Sequence, residues 1–165
     1  NFIYSNEEII QMKKEIKLAH QLTLKGVVFG LLLKNGELDT LQSKKLHNYA
    51  KSFKLETTFH RAFDNCKNPK NAFNKLIEIG FDRLLTSGQK EKAINGIELI
   101  KELKLISKNE IEIMAGSGVD EKNASAFSLI NLDAVHFSIH NKDVKESSTK
   151  YINEKKISAI MEKLS

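Results

Sequence analysis

A histidine, an arginine and an aspartate stand close together in the stretch TFHRAFD, Thr58 to Asp64, where an apolar run of the sequence ends. His60 could transfer a proton near neutral pH, and Asp64 could orient an imidazole or accept a proton. Arg61 could hold a carboxylate or a phosphate through two parallel hydrogen bonds. These three side chains predict a small-molecule site. A histidine on a strand is also common as a hydrogen-bonded core residue, and this structural reading stays open.

Polar groups also end three further apolar runs, in TSG, MAGSGV and HFSIH. The candidate ligand-binding residues at these ends, with Arg61, are Thr86, Ser87, Gly88, Gly116, Gly118 and Ser138, and His136 is a further candidate acid or base. The two glycines of GSG would let backbone N–H groups approach an anion at the start of a helix near Asp120. A tight strand-to-helix turn requires glycine without any ligand as well, so a purely structural role is the alternative.

Soft ligands for a metal such as Cu(I) are few in this sequence. They are Cys66 and three methionines, and none of them forms a Cys-x-x-Cys, Met-x-x-Met or His-x-x-x-His spacing. Cys66 follows Asp64 in the loop past the strand end, so its thiol could face the same pocket. The candidate metal ligands are therefore Cys66, His60 and Met114, whereas a structural cysteine and a core methionine are the alternative.

Helical and apolar segments alternate along the whole chain. Periodicity predicts helices over Ser5 to Thr23, Leu38 to Ser52, Asn68 to Gly80, Lys90 to Ser107, Asp120 to Asn131 and Glu154 to Leu164. The apolar runs between them predict strands over Val27 to Leu33, Leu55 to Arg61, Arg83 to Ser87, Glu110 to Ala115 and Ala134 to Ser138. Asn141 to Tyr151 is the one long polar loop that this pattern leaves.

The alternation predicts an α/β fold with parallel strands joined by right-handed crossovers. Five strands could form an open doubly wound sheet, but a TIM-type (β/α)8 barrel needs eight. A start at a helix, without an initiator Met, favours a partial barrel to which the chain supplies about the last five strands. Residues 1–165 are expected to form a single, partial barrel domain. In such folds ligands bind at the carboxyl ends of the strands, where the polar groups above lie.

Three charged or titratable residues are expected to serve structure rather than ligand binding. Arg83 starts its strand, far from the carboxyl end, and should form an ion pair inside the barrel with Glu56 or Glu112. His20 and His47 are expected on exposed helix surfaces.

Composition excludes two classes of partner. Lys and Arg total 26 against 21 Asp and Glu, which gives a net charge of +5, but the cations are spread along helices beside Glu. With no Trp to add to a stacking platform, we expect no nucleic-acid binding. The longest apolar run, GVVFGLLL, is far shorter than the roughly 20 residues of a membrane span. A lone cysteine cannot form an intrachain disulfide, so a cytoplasmic location is expected.

As a set, the strand-end motifs resemble the CutC family, whose members are usually labelled copper homeostasis proteins. The matching stretches are FIYSNEE, KGVVFGLL, ETTFHRAFD, DRLLTSG, EIMAGSGV and VHFS, in family order from residue 2 to residue 138. The resemblance implies a cytoplasmic TIM-type barrel that forms homo-oligomers and has further strands before FIYSNEE. The stretch Ala115 to Val119 departs from the family, because AGSGV replaces a more glycine-rich PGGGV-like form while keeping Gly116 and Gly118.

Two functions from different classes follow from these observations. The first is a cytoplasmic CutC-like copper homeostasis protein that binds copper at the barrel rim. The second is a barrel enzyme acting on a small phosphorylated or carboxylated metabolite, in which Arg61 and the Gly116 to Gly118 turn hold the anion and His60 or His136 transfers a proton. An interaction protein whose polar rim serves only folding is a weaker third hypothesis, and whether the chain is an enzyme stays open.

Overall fold

A computed structural model describes residues 2–139 and 152–164 of the chain, which form helices alternating with parallel strands. The strands are β1 (Gly26–Phe29), β2 (Glu56–Phe59), β3 (Arg83–Thr86), β4 (Glu112–Gly116) and β5 (Ala134–His136). The helices are α1 (Asn6–Gln21), α2 (Thr40–Ser52), α3 (Pro69–Ile79), α4 (Ile97–Ser107), α5 (Ala124–Leu129) and α6 (Glu154–Leu164). Two 3-10 helices, Arg61–Asn65 and Ala93–Gly96, lie in the loops after β2 and β3.

The five strands form one parallel sheet in the order β1-β2-β3-β4-β5. Each strand pairs with the next one along the chain, for example Val28 with Thr58 and Gly116 with His136. Consecutive parallel pairing through helical crossovers is the arrangement of a TIM-type barrel, whereas a doubly wound sheet reverses its strand order. The prediction of a partial barrel is therefore confirmed. Within the described residues, β1 and β5 are the two edges of the sheet.

The hydrophobic core lies between the sheet and the helices that cover its outer face. Phe59 is fully buried in β2, and its ring contacts that of Phe81, which also packs on Phe29 of β1. Since side chains alternate across a strand, the neighbouring positions of β1 and β2 face the inside of the barrel. Val28 lies on this inner face at the edge of the sheet and is 61% exposed.

Local sequence signals account for the starts of two helices. The Ser5 hydroxyl oxygen accepts a hydrogen bond from the Glu8 backbone N–H, and the Glu8 carboxylate accepts one from the Ser5 backbone N–H, which is a capping box. Asn68 caps α3, and Pro69 lies in its first turn. A backbone N–H at that position would have no acceptor within the helix, so proline costs no hydrogen bond there.

Two helices begin later than periodicity predicts. The segment expected to be helical from Lys90 forms a turn and a 3-10 helix before α4 starts at Ile97. The cause is the close packing of Gly96 against Gly88, which a continuous helix would not permit. The helix expected from Asp120 begins at Ala124 and has only six residues. The predicted polar loop Asn141 to Tyr151, and His140 before it, lie outside the described residues.

Candidate functional site at the carboxyl end of the sheet

Asp64 is the centre of the polar cluster at the carboxyl end of β2 and β3. Its carboxylate is only 7% exposed and accepts hydrogen bonds from the hydroxyl of Thr86 and from the backbone N–H groups of Ser87 and Gln89. It also accepts a 2.8 Å bond from Nε of Arg61. These donors fill the four lone-pair positions of a carboxylate. Asp64 therefore fixes the loop after β3 and orients Arg61, whereas the sequence suggested that it could orient an imidazole or accept a proton.

Arg61 is held along one edge of its guanidinium group. Nε donates to Asp64, and Nη2 donates to the Ser87 hydroxyl at 2.9 Å. These are the hydrogen bonds that Arg61 makes within the described part of the chain, and they use two of its five N–H donors. The opposite edge, which consists of Nη1 and the second Nη2 proton, makes no hydrogen bond within the described residues, and the side chain as a whole is 41% exposed. A planar donor pair in a fixed orientation is suited to binding a two-oxygen anion.

The residues of the TSG sequence hold Arg61 and Asp64 in position. Thr86 and Ser87 are fully buried, and both hydroxyls lie against Asp64. The Ser87 hydroxyl, which accepts from Arg61, also lies within hydrogen-bond distance of the Lys90 carbonyl oxygen, so its single proton goes to one of two acceptors. Gly88 has φ +66°, and a Cβ there would lie 2.2 Å from the carbonyl oxygen of Gly96. These three residues lie at the predicted site, but their polar groups are used to position Arg61.

His60 caps the 3-10 helix that carries Arg61 and Asp64. Its Nδ1 accepts a hydrogen bond from the backbone N–H of Ala62 at 3.2 Å, so the neutral ring carries its proton on Nε2. Burial lowers the pKa of His60, with its own backbone hydrogen bond acting in the opposite direction. The imidazole is therefore neutral at pH 7 and offers an Nε2–H donor. Sequence reasoning placed this histidine correctly at the strand end.

Two residues that the sequence did not single out surround His60. The Phe2 ring lies 5.1 Å from the imidazole, centroid to centroid, and covers one of its sides. A Cβ at Gly30 would lie 2.6 Å from Nδ1, so only glycine leaves room for the ring beside β1. Both contacts join segments far apart in the chain.

Gln89 is a third residue that sequence reasoning missed. It has φ +60°, its backbone N–H binds Asp64, and its side-chain amide donates to the Cys66 carbonyl oxygen at 2.5 Å. No local pattern in the sequence marks a glutamine for this conformation.

The two glycines at the end of β4 and just after it have structural explanations that need no ligand. A Cβ at Gly116 would lie 2.6 Å from Cδ1 of Leu85, so the sheet packing excludes a larger residue. Gly118 has φ +69° and lies under the side chain of Lys92. Between them Ser117 adopts φ 90° and donates from its hydroxyl to the Glu91 carbonyl oxygen at 2.7 Å. The helix that follows begins at Ala124 rather than near Asp120 and has six residues, and the anion site at these glycines stays a prediction.

The remaining candidates lie along the same end of the sheet without joining the Arg61 cluster. His136 ends β5 and is exposed, next to Gly116 in the strand register. The carbonyl oxygen of Ser138 accepts a 2.7 Å hydrogen bond from Lys156 of α6. Met114 is partly buried in β4 and pairs with Leu85 of β3.

Cys66 does not face the pocket that the sequence suggested. The residue is 4% exposed, and its thiol donates to the Ala62 carbonyl oxygen at 3.9 Å. Burial, with a smaller contribution from the Asp64 carboxylate, raises the pKa of the thiol to about 11. Cu(I) binds the thiolate, so this environment opposes coordination. Within the described residues, no group of three or more His, Cys, Asp or Glu side chains could hold a metal ion. The metal-ligand set of Cys66, His60 and Met114 stays a prediction.

The predicted ion pairs at the opposite end of the sheet are present. Arg83 donates from Nε to Glu112 at 2.8 Å, and its Nη1 lies 3.9 Å from Glu56. The prediction that Arg83 serves structure inside the barrel is consistent with these contacts.

The prediction that His47 lies on an exposed helix surface is wrong. It is 5% exposed, and its Nδ1 lies 3.0 Å from the Thr57 hydroxyl, which donates to Asp82. Burial and the nearby Lys51 ammonium lower the pKa of His47, while Asp82 acts in the opposite direction. The face of α2 that carries His47 packs on the sheet. A single histidine in the sequence does not indicate which face of a helix is buried. The other helix histidine, His20, is exposed as predicted.

The fold and the polar strand ends define a partial TIM-type barrel with a candidate binding site at the carboxyl rim. A family model described as the CutC family matches residues 1–141. A CutC family protein of Bacteroides thetaiotaomicron is 42% identical over 155 residues, which are 93% of this chain and 61% of that protein. One from Vibrio cholerae serotype O1 is 41% identical over 139 residues, covering 84% of this chain and 55% of its own length. The chain belongs to the CutC family.

Solved structures show the same architecture. The crystal structure of CutC from Streptococcus agalactiae, whose name refers to copper homeostasis, matches with a TM-score of 0.76 and 31% identity over 82% of this chain and 66% of that one. The native KDPGal structure matches with a TM-score of 0.61 at 13% identity, which shows likeness of fold alone. The chain spans about three fifths of the length of the curated relatives it matches.

Proposed function

We propose that this chain binds a small anionic metabolite at the rim of its barrel, with Arg61 as the anion-binding residue. The observation that supports this is the guanidinium group fixed along one edge by Asp64 and Ser87, in a side chain that is 41% exposed and whose Nη1 has no hydrogen-bond partner within the described residues. Orienting the donors before the ligand arrives lowers the entropy lost on binding. The net charge of +5 favours the approach of anions over long distances.

The cellular role that we propose is copper homeostasis in the cytoplasm, as part of a homo-oligomeric protein. The name of the Streptococcus agalactiae relative supports the copper role, and the family resemblance suggests the location and the assembly. No described helix is long and apolar enough to cross a membrane. In this proposal copper homeostasis depends on metabolite binding rather than on copper coordination at the rim.

An enzymatic role is the natural extension of this site. His60 comes directly before Arg61 at the end of β2, and its imidazole is neutral. The ring can donate a proton from Nε2, or accept one at Nδ1 if it turns away from the Ala62 N–H. His136, exposed at the end of β5, is the second candidate for proton transfer. Asp64 is fully occupied by its donors, so we assign it to positioning Arg61 rather than to proton transfer.

The anion site is tested by nuclear magnetic resonance of the arginine side chains, because the chain contains only two arginines. Titration with small anions should shift the Nε–H signal of Arg61 and leave that of Arg83, already paired with Glu112, unchanged. Arg61→Lys keeps the charge but loses the fixed pair of donors, so affinity should fall about tenfold or more. Arg83→Lys is the matched control. Equal response of both arginines would contradict the proposal.

Direct copper binding is tested separately by an anaerobic Cu(I) titration, with the Cys66→Ala/His60→Ala double variant alongside. We expect no tight stoichiometric binding, because the thiol is buried and its pKa is raised. Tight binding that the double variant loses would instead establish the copper site of Cys66, His60 and Met114.

A further inference from the structure

The segment from β2 to β3 and the segment from β4 to β5 share a sequence pattern. LETTFHRAFD, Leu55 to Asp64, aligns without a gap on IEIMAGSGVD, Ile111 to Asp120. GFDRLLTS, Gly80 to Ser87, aligns in the same way on NLDAVHFS, Asn131 to Ser138. In both segments the first stretch forms a strand and the loop after it, and the second forms the end of a helical connection and the next strand.

Aligned positions occupy the same environment in the fold. Leu55 and Ile111 come directly before the first strand of each segment, and both are buried. Gly80 and Asn131 follow the helix, and both have a positive φ, +96° and +50°. The alignment therefore joins residues that do the same structural task.

Asp82 fastens the start of β3 to β2 and to the helix before β2. Its Oδ2 accepts a 2.7 Å hydrogen bond from the backbone N–H of Thr57, the second residue of β2. Its Oδ1 accepts a 2.8 Å hydrogen bond from Nζ of Lys51 in α2. One carboxylate thus connects three successive elements at the amino end of the sheet.

Asp133, which aligns with Asp82, makes the same connections in the second segment. Its Oδ2 accepts a 2.9 Å hydrogen bond from the backbone N–H of Ile113, the second residue of β4. Its Oδ1 accepts a 2.6 Å hydrogen bond from Nζ of Lys104 in α4, the helix before β4. The two aspartates therefore share partners of the same kind on the same oxygens.

These aspartates lie at the two junctions of the sheet with the shorter ladders. β2 and β3 are joined by two residue pairs and β4 and β5 by three, whereas β1–β2 and β3–β4 have four each. At the longer ladders the residue before the second strand is apolar, Leu55 before β2 and Ile111 before β4. A charged acceptor strengthens a hydrogen bond to a backbone N–H. Each carboxylate therefore adds a strong bond where the ladder is short.

We propose that Asp82 and Asp133 are equivalent positioning residues in two copies of one structural unit. Each fixes the register of its strand pair, and thereby the strand end that contributes to the rim. β3 leads to Ser87, which accepts a hydrogen bond from Arg61, and β5 ends at His136. Since a slip of one residue turns every side chain of a strand to the other face, register decides what the rim presents.

The two units differ in their chemistry at the rim. Arg61 of the first unit aligns with Ser117 of the second, so the guanidinium group has no counterpart there. The structural frame is shared, and the candidate anion-binding group belongs to the first unit. Positioning by the two aspartates holds whether or not the rim binds an anion.

Hydrogen exchange of two backbone N–H groups tests the proposal. Asp82→Ala removes the acceptor of the Thr57 N–H, which should exchange about tenfold faster or more, while the Ile113 N–H stays within about twofold of the wild-type rate. Asp133→Ala should have the reverse effect, so each variant is the matched control for the other. Acceleration of both N–H groups together, or of neither, would overturn the proposal.

Two further pairs of variants keep the test decisive. Asp82→Asn and Asp133→Asn retain one acceptor oxygen and lose the charge, so they should give the same crossed pattern with a smaller effect if an alanine variant does not fold. Lys51→Met and Lys104→Met remove the ion pairs and leave the carboxylates, so both N–H groups should stay protected. Lysine variants that lose as much protection as the aspartate variants would assign the effect to the ion pairs instead.

Nuclear magnetic resonance signals at the rim distinguish positioning from general stability. In Asp82→Ala the Nε–H signal of Arg61 should shift, whereas the backbone N–H signal of His136 should not. In Asp133→Ala the signal of His136 should shift and that of Arg61 should not. Rim signals that stay in place in both variants, or that move together in either one, would overturn the positioning role.

Discussion

Single residues at this rim have roles that follow from burial more than from residue type. The sequence suggests Asp64 for proton transfer and Arg61 for anion binding, yet Asp64 is buried beneath its donors and Arg61 is partly exposed. Burial lowers the pKa of both His60 and His47, although His60 is only partly buried after the end of β2 and His47 is buried within α2. Exposure therefore separates the candidate binding residue from the residues that position it.

The buried histidine of α2 makes the stability of the fold depend on pH. Because the pKa of His47 is lowered in the folded state, the unfolded state binds the extra proton, and the free energy of unfolding falls as pH drops below about 6.5. His47→Gln should reduce the slope of the free energy of unfolding against pH below about pH 6.5. One such histidine contributes at most about 1.4 kcal/mol per pH unit to this slope. Urea unfolding between about pH 5 and pH 8 measures it.

Part of the slope should persist in this variant, since His60 has a pKa shift of the same sign. His20→Gln, on the exposed end of α1, is the control and should leave the slope unchanged. If His47→Gln behaved like this control, the buried imidazole would not be the source of the pH dependence.

At the scale of elements, the loop after β3 joins the neighbouring strand ends into one rim. It supplies the backbone N–H groups that bind Asp64 after β2, and its Glu91 carbonyl oxygen accepts from Ser117 after β4. The close approach of Gly88 and Gly96 folds this loop back on itself before α4 begins. The position of Arg61 thus depends on a loop that belongs to the next βα unit.

Adding a methyl group at Gly88 should disrupt this loop. In Gly88→Ala the Cβ would lie 2.2 Å from the Gly96 carbonyl oxygen, a backbone atom that cannot move aside alone. We expect destabilisation by about 3 kcal/mol or more, measured by urea unfolding.

Gly36→Ala is the matched control for backbone conformation. Gly36 also has a positive φ, +81°, but the nearest atom to its Cβ position is 3.6 Å away. The variant should therefore lose only the conformational contribution, about 1 kcal/mol. Equal losses for the two variants would argue against the close approach as the cause.

For the whole molecule, the two open edges of the described sheet are the dominant feature. The backbone groups of β1 on the side away from β2 have no strand partner within the described residues, and Val28 beside them is 61% exposed. Unpaired strand edges with apolar side chains favour association with other chains. A complete barrel would cover this edge, and the relatives are longer than the chain.

The 165-residue chain in isolation should therefore self-associate, and Val28→Lys should weaken the association about tenfold by placing a charge at the edge. Sedimentation velocity over a range of concentrations measures this. Leu105→Lys, which changes a 74% exposed leucine on α4 away from the edge, is the control. A wild-type chain that stays monomeric throughout would contradict the role given to this edge.

The sequence by itself determined the order of the elements, the parallel fold and the end of the sheet where the polar residues meet. These properties follow from local periodicity, turn residues and the alternation of strand with helix, all of which act over a few residues. Arg83 could also be assigned, since its position at a strand start places it among the acidic residues that begin the neighbouring strands.

Only the tertiary structure decided which rim residues face solvent. Asp64 lies beneath donors from the loop after β3, Cys66 is turned towards the Ala62 carbonyl, and His47 is covered by the sheet. Burial and hydrogen-bond partners come from segments far apart in the chain, so no local pattern encodes them. For the same reason the sequence offered Asp64 for catalysis, Arg61 for anion binding and Cys66 for metal binding without showing that Asp64 and Cys66 are buried while Arg61 is partly exposed.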